Sequence, residues 1–297
     1  MAPITVNNNQ NQPANVLAAY VNFSKLRLGD RMASAWYAQH RRLRTGERFG
    51  ALDQHLLIPE PFPMELYFPD TFTAVNEEQI KSMALPEWDQ TVLWLNATNE
   101  FGRHPVNGFF EHIPDSVLQA AQKLSSIRVS HKPYVLMHIL DDALYNHKRN
   151  WRREDALAVA RALEKKGCEV ILLNPEPGKF NGNYQDMMAQ MLAADAFIGG
   201  DTGPSHLFAQ LCPHKPQLAI YPDMKEDREI FRALQESLGL PLPWNSLPKK
   251  CNLAMIELQL ARATTRRGFK IRRRQYQRFF PSDVIGVLMP MLKAYRG

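Results

Sequence analysis

The chain has 297 residues, 45% hydrophobic and 22% charged, with a formal net charge of +6. Those proportions suit a globular protein of about two domains, and no apolar run reaches the ~18 residues of a membrane-spanning helix. The basic balance points to an anionic partner without naming it; Cys168, Cys212 and Cys251 are too few and too scattered for a disulfide framework or metal site, which fits a reducing cytoplasm.

Residues 1–14, rich in Asn and Gln, read as a disordered lead with no apolar core of the secretory kind. Val16–Val21 follows as a short strand. A loop carrying Gly29 and Asp30 comes next, and helical spacing runs from Met32 through Ala33, Trp36, Tyr37 and His40. Asp30 at this helix start has a structural explanation as an N-cap and a chemical one as a functional carboxylate. The basic run His40–Arg44 reads as a solvated face or an anion-facing one. Thr45–Gly50 is expected to be a loop and Gln54–Ile58 a strand. Residues 59–86, rich in proline and aromatics with little periodicity, are expected to be irregular and to lie over a cleft. Thr91–Leu95 is a further strand, Asn99–Gly108 a polar loop carrying Arg103 and His104, and Pro114–Lys123 a helix. Strand and helix alternate, so the first half calls for an open, mostly parallel sheet. The polar Ser125–Pro133 stretch sets a boundary, giving domains at 15–128 and 129–280.

The second half is more regular. Tyr134–Ile139 is a strand, and Arg152–Lys166 a helix with Glu154 and Asp155 in its first turn and Lys165 and Lys166 in its last, matching the helix dipole. Strand Glu169–Leu173, helix Tyr184–Ala194, strand Ala196–Ile198, a helix to Leu211 and strand Gln217–Tyr221 follow. Four strands with intervening helices describe a Rossmann-like unit, but without the G-x-G-x-x-G of nicotinamide and flavin sites. The most informative stretch is Gly199-Gly200-Asp201-Thr202-Gly203-Pro204-Ser205-His206. A strand, a glycine turn and an exposed helix N-terminus make an anion site. Beyond it come a helix to about Leu238, a basic stretch from Arg262 to Arg278 that includes Arg272, Arg273 and Arg274, and a last helix in 281–297 with Val284, Val287, Leu288 and Leu292 on one side.

Leu28-Gly29-Asp30 early and Asp201-Thr202-Gly203-Pro204-Ser205-His206 late resemble glycosyltransferase family 9, the heptosyltransferase-like group. Tyr134–Asn174, with a basic residue shortly before Trp151, and the helix entered at Ser282-Asp283-Val284 add to the likeness. Where the family has a His-Pro-Gly turn, this chain reads His138-Ile139-Leu140-Asp141-Asp142.

The resemblance implies an α/β fold of the GT-B kind: two facing Rossmann-like domains with mostly parallel sheets, and a C-terminal helix packing back on the N-terminal domain. It implies an inverting glycosyltransferase, hexosyl- or heptosyl-type with pentosyl as a variant. Such an enzyme carries a sugar from a nucleotide-diphosphate sugar to an acceptor hydroxyl. Asp30 would be the general base. Lys148 or Arg149, Glu176, Asp201, Thr202, Gly203, Ser205 and His206 would bind the donor. No D-x-D triplet stands at an expected strand end, so neither metal nor cofactor is expected beyond the nucleotide sugar itself.

Arg103, His104, Arg272, Arg273 and Arg274 are the candidate contacts to an anionic acceptor. A glycolipid of the lipopolysaccharide-core kind is favoured, which would place a cytoplasmic protein against the inner membrane. Two alternatives compete: a glycosyltransferase acting on a hydroxylated DNA base, and a non-catalytic protein of this fold that binds a nucleotide or nucleic acid.

Overall fold

The computed structural model describes residues 17–54, 61–88, 110–128, 131–139, 141, 151–176, 183–200, 202–212, 214–222, 253–258 and 281–297. The first sheet holds β1 (Leu17–Asn22), β2 (Arg48–Leu52) and β3 (Phe72–Ala74), parallel and in that order. A single 3-10 turn, Phe23–Lys25, leads from β1 into α1 (Leu28–Thr45). That helix stops at Gly46, whose φ of 77° is the left-handed cap conformation a glycine takes without strain. After α2 (Met64–Tyr67) and β3, helix α3 (Glu77–Ser82) opens with a reciprocal capping box between Asn76 and Gln79. The chain then returns to the other edge of β1, where the Tyr20 amide donates to the Pro86 carbonyl and the Trp88 amide to Tyr20.

Three expectations for this half need correction. The second strand lies at Arg48–Leu52, inside and just beyond the expected loop, while residues 55–58 fall outside the described ones. Gly50, inside that strand, is a close-packing position: a Cβ there would come within 2.9 Å of Val75 Cγ2. Residues 61–86 are not irregular. Their helices and strand span four, three and six residues, too short to leave a period, and their aromatics form core, with Phe62 stacked on Tyr67 at 4.4 Å. Asp30 is not the N-cap, because Arg27 holds that position and the helix starts at Leu28.

Helix α4 (Asp115–Ile127) leads to the second sheet. Its elements are β4 (Tyr134–Met137), α5 (Arg153–Glu164), β5 (Glu169–Leu172), α6 (Tyr184–Ala193), β6 (Ala196–Gly199), α7 (Gly203–Leu211), β7 (Gln217–Pro222) and β8 (Leu253–Leu258). All pairings are parallel, in the order β5-β4-β6-β7-β8. Counted from β4, that is the doubly wound order in which the chain reverses direction between its first and third strands. The fifth strand was not expected, because Leu253-Ala254-Met255-Ile256-Glu257-Leu258 is an apolar run that suits a helix as well as a strand.

The pleat sorts β4 between two cores. Tyr134 and Leu136 join Phe197, α6, α7 and the first-half residues Val21, Leu28, Met32 and Phe49 in one continuous cluster. Val135, Met137 and Ile139 face the other, with Val159 and Leu163 of α5. Helix α8 (Pro281–Arg296) contributes Val284, Leu288 and Leu292 to that second cluster and packs on α5, β7 and β8. It therefore covers the second sheet in place of the expected return to the first half, because its buried stripe meets the apolar face that α5 leaves open. Among the described residues, no helix is long and apolar enough to cross a membrane.

Candidate functional site

Thr202 is the N-cap of α7, in extended backbone, and Pro204 sits in the first turn, where its missing N–H costs no helical bond. The amides of Ser205 and His206 both donate to the Thr202 carbonyl, at 3.0 and 3.2 Å. The helix start therefore offers fewer backbone donors than a bare strand–turn–helix pattern implies. Gly203, the first helical residue, keeps an N–H without an intrahelical acceptor. The hydroxyls of Thr202 and Ser205 lie 3.3 Å apart beside it. Ser205 is buried, and its carbonyl accepts from Gln217 Nε2 at 2.9 Å. Gly199 is required beneath it: a Cβ there would overlap Ser205 Oγ and lie 2.5 Å from Phe197 Cε1.

The first half meets this turn directly. A Cβ on Gly203 would lie 2.7 Å from Leu28 Cβ and 3.1 Å from the Gly29 nitrogen. A Cβ on Gly29 would lie 3.4 Å from His206 Cδ2. The N-terminal turns of α1 and α7 therefore abut, and two helix ends of partial positive charge converge on one place. Asp30, partly exposed in the first turn of α1, stands next to that contact.

Arg31 anchors the same turn from below. It is fully buried and spends its guanidinium on the Leu26 carbonyl at 3.0 Å, the Phe23 carbonyl at 2.7 Å and both oxygens of Asp53, with the Nη2–Oδ1 bond at 2.9 Å. The planar fork of arginine suits such a multidentate role. The 3-10 turn, the end of β2 and the start of α1 are thereby tied together one residue from Asp30.

The strand ends of the second sheet complete the site. His138 follows β4, and its amide donates to the Ile198 carbonyl at 2.9 Å. The residue is half-buried, and the protein packed around its ring holds the pKa down to about 4, opposed by the Asp141 carboxylate. Asn174, after β5, accepts from the Ile139 amide at 2.8 Å and donates to the Ile139 carbonyl at 2.6 Å. Asp141 accepts from Arg153 at 2.5 Å, and Arg153 also donates to the carbonyls of Asn174, at 3.0 Å, and Pro175. This lattice ties Ile139 and Asp141, just past β4, to Asn174 and Pro175, just past β5. In open α/β sheets ligands bind outside such strand ends, at the point where the strand order reverses.

Of the residues named from sequence, Asp30, Thr202, Gly203, Ser205 and His206 are brought together. Glu176 is exposed just past Asn174 at the β5 end, two strands from β6 and so roughly 10 Å away by sheet spacing. Lys148, Arg149, Asp201, Arg103, His104, Arg272, Arg273 and Arg274 lie outside the described residues. Within the early basic run, Arg41 pairs with Glu47 at 2.6 Å and Arg42 with Glu111 at 3.2 Å. Sequence reasoning missed His138, Arg31 and the Asn174–Asp141–Arg153 lattice. Polar residues closing apolar runs, as His138 and Asn174 do, were the available signal.

No family model matches the chain, and no curated protein matches it. Among solved structures it is similar to a glycosyl transferase of family 9 from Veillonella parvula, with a TM-score of 0.58 and 12% identity over 95% of this chain and 100% of that one. It is also similar to the dodecameric, iron-containing glycosyltransferase TibC of enterotoxigenic E. coli, at 15% identity and a TM-score of 0.45, covering 69% of this chain and 58% of TibC. A TibC structure in complex with ADP-D-beta-D-heptose gives 16% and 0.42 over the same shares. The first likeness shows the fold, a mixed α/β arrangement of parallel sheets; scores as low as those for TibC add nothing to it.

Proposed function

We propose that the protein is a glycosyltransferase of GT-B-like architecture, transferring a sugar from a nucleoside diphosphate sugar to an acceptor hydroxyl, with inversion and without a metal. The observation that carries this reading is the contact of Gly203 with Leu28 and Gly29. It joins the two stretches on which the family resemblance rests. The shared fold supports the reading as well.

In this reading, residues 15–128 present the acceptor and residues 129–280 hold the donor. The acceptor oxygen attacks the anomeric carbon from the Asp30 side while the bond from that carbon to the diphosphate oxygen breaks. The electron pair of that bond leaves with the diphosphate, and the hydroxyl proton passes to the Asp30 carboxylate. Negative charge grows on the leaving group at the start of α7. There the Gly203 N–H, the Thr202 and Ser205 hydroxyls and the helix dipole are held in advance by the fold. Lys148 or Arg149 adds the cation, Asp201 and Glu176 contact the sugar or ribose, and His206 packs at the seam. The acceptor class that fits the resemblance is a glycolipid, met by Arg103, His104 and Arg272–Arg274.

A panel of UDP-, GDP- and ADP-linked hexoses, heptoses and pentoses tests the reading, first by melting shift and then by transfer. At least one donor should raise the melting temperature and be consumed. Asp30→Asn should keep that shift and lose turnover. A protein that no nucleotide sugar stabilises, and that consumes none, contradicts the proposal.

A further inference from the structure

We propose that His138 is a positioning residue for the anion seat, acting through the hydroxyl of Thr202; this rests on the donor-binding reading of the α7 start. His138 Nδ1 lies 3.4 Å from Thr202 Oγ1, and that oxygen lies 3.3 Å from Ser205 Oγ. A threonine at an N-cap ordinarily accepts from an amide in the first helical turn. Here one of those amides is absent, because the residue is Pro204, and the Ser205 amide goes to the Thr202 carbonyl instead. Thr202 accordingly makes no side-chain cap bond. Its hydroxyl turns to the imidazole and to Ser205.

The chemistry follows from the donor and acceptor count. A ring that carries its proton on Nδ1 donates to Thr202 Oγ1, and the Thr202 proton is then free to point at an anion lying over Gly203. The His138 backbone is held against β6, where its N–H donates to the Ile198 carbonyl, and the ring forms one end of a short polar chain. Burial keeps the ring neutral at neutral pH, and the charged group facing it is Asp141. Its contribution is therefore one of orientation and not of added positive charge. The 3.4 Å spacing is that of a resting contact, which shortens when an anion draws on the Thr202 hydroxyl.

The test is calorimetric titration of inorganic pyrophosphate into the wild type, His138→Asn, His138→Gln, His138→Phe, Thr202→Val and the His138→Phe/Thr202→Val double variant. Asn places an amide where Nδ1 stood and should bind close to wild type. Gln places its amide at the Nε2 position and, like Phe, should bind about fivefold to tenfold more weakly, the effect of one hydrogen bond. His138→Phe should cost nothing further once Thr202 is Val, because the two residues act as one unit. If the wild type binds pyrophosphate and Gln and Phe bind as tightly, or the double-variant losses simply multiply, the role of His138 is overturned and the seat stands. If the wild type ignores pyrophosphate, the seat itself is overturned, and the role of His138 with it.

Discussion

Gly203→Ala perturbs the seam between the two halves by a single methyl group. Its Cβ would stand 2.7 Å from Leu28 Cβ, about 0.7 Å inside the 3.4 Å of an ordinary contact, and 3.1 Å from the Gly29 nitrogen. Both obstacles belong to or adjoin the α1 backbone, so no side-chain rotation relieves them. The first turns of α1 and α7 must separate by most of that shortfall, carrying Asp30 away from the Gly203 N–H. Overpacking of this kind costs about 1–3 kcal/mol, which for a chain of this size lowers the melting temperature by a few degrees. A displacement of roughly 1 Å between reacting groups costs on the order of 100-fold in rate. Turnover of the donor found in the nucleotide-sugar panel should therefore fall much further than stability does. The checks are kcat and KM with saturating acceptor, beside a calorimetric melt. If the melting temperature drops while kcat stays within about twofold of wild type, the seam is packing only and the reasoning fails.

Other substitutions carry outcomes of their own. Gly286→Ala is the matched control: nothing lies within 4 Å of its added Cβ, so it should stabilise α8 by about 0.5–1 kcal/mol and leave turnover untouched. Gly199→Ala drives a methyl into Ser205 Oγ and Phe197; pyrophosphate binding should weaken, and an unchanged titration would show that Ser205 is no part of the seat. Arg31→Met removes the buried guanidinium that Asp53 and the Phe23 and Leu26 carbonyls share and should cost about 3–5 kcal/mol, read as a denaturant midpoint. The acid limb of stability should carry the signature of His138. Its pKa falls from 6.5 to about 4 on folding, so below 6.5 the unfolded chain takes up a proton that the fold refuses. The loss begins as pH drops through 6.5 and is complete near 4, reaching at most about 3 kcal/mol. His138→Asn should flatten the limb between those values; parallel stability curves for variant and wild type would refute the assignment.

The second sheet was legible in the sequence because β4 and β6 are short apolar runs buried on both faces, and β4, β5 and β6 are each followed by an amphipathic helix. Tyr134–Met137 and Ala196–Gly199 came out within two residues of expectation. Of the candidate site, the two stretches that meet in the fold, Gly29-Asp30 and Gly203–His206, are the ones their glycines single out in the sequence. What escaped has physical causes. Gly50 falls at the end of the expected loop, and only the fold shows Val75 pressing on it. Phe62, Tyr67 and Phe68 pack against Tyr184 and Phe110, far along the chain, rather than following a local period. Leu253–Leu258 becomes a strand only because β7 offers it an edge. Arg31 carries no signal of its own in the sequence; only the fold brings Asp53 and the carbonyls of Phe23, Leu26 and Phe62 around it. The number of free amides at the α7 start was overestimated because the Thr202 carbonyl takes two of them.

The central claim is that one diphosphate site is shared by the starts of α1 and α7. A structure of the protein bound to the nucleoside diphosphate of its donor tests this most directly. Diphosphate oxygens should lie within hydrogen-bond reach of the Gly203 N–H and the Thr202 hydroxyl, with the Asp30 carboxylate facing the place the anomeric carbon would occupy. A diphosphate seated away from Gly203, with Asp30 turned from it, would contradict the account.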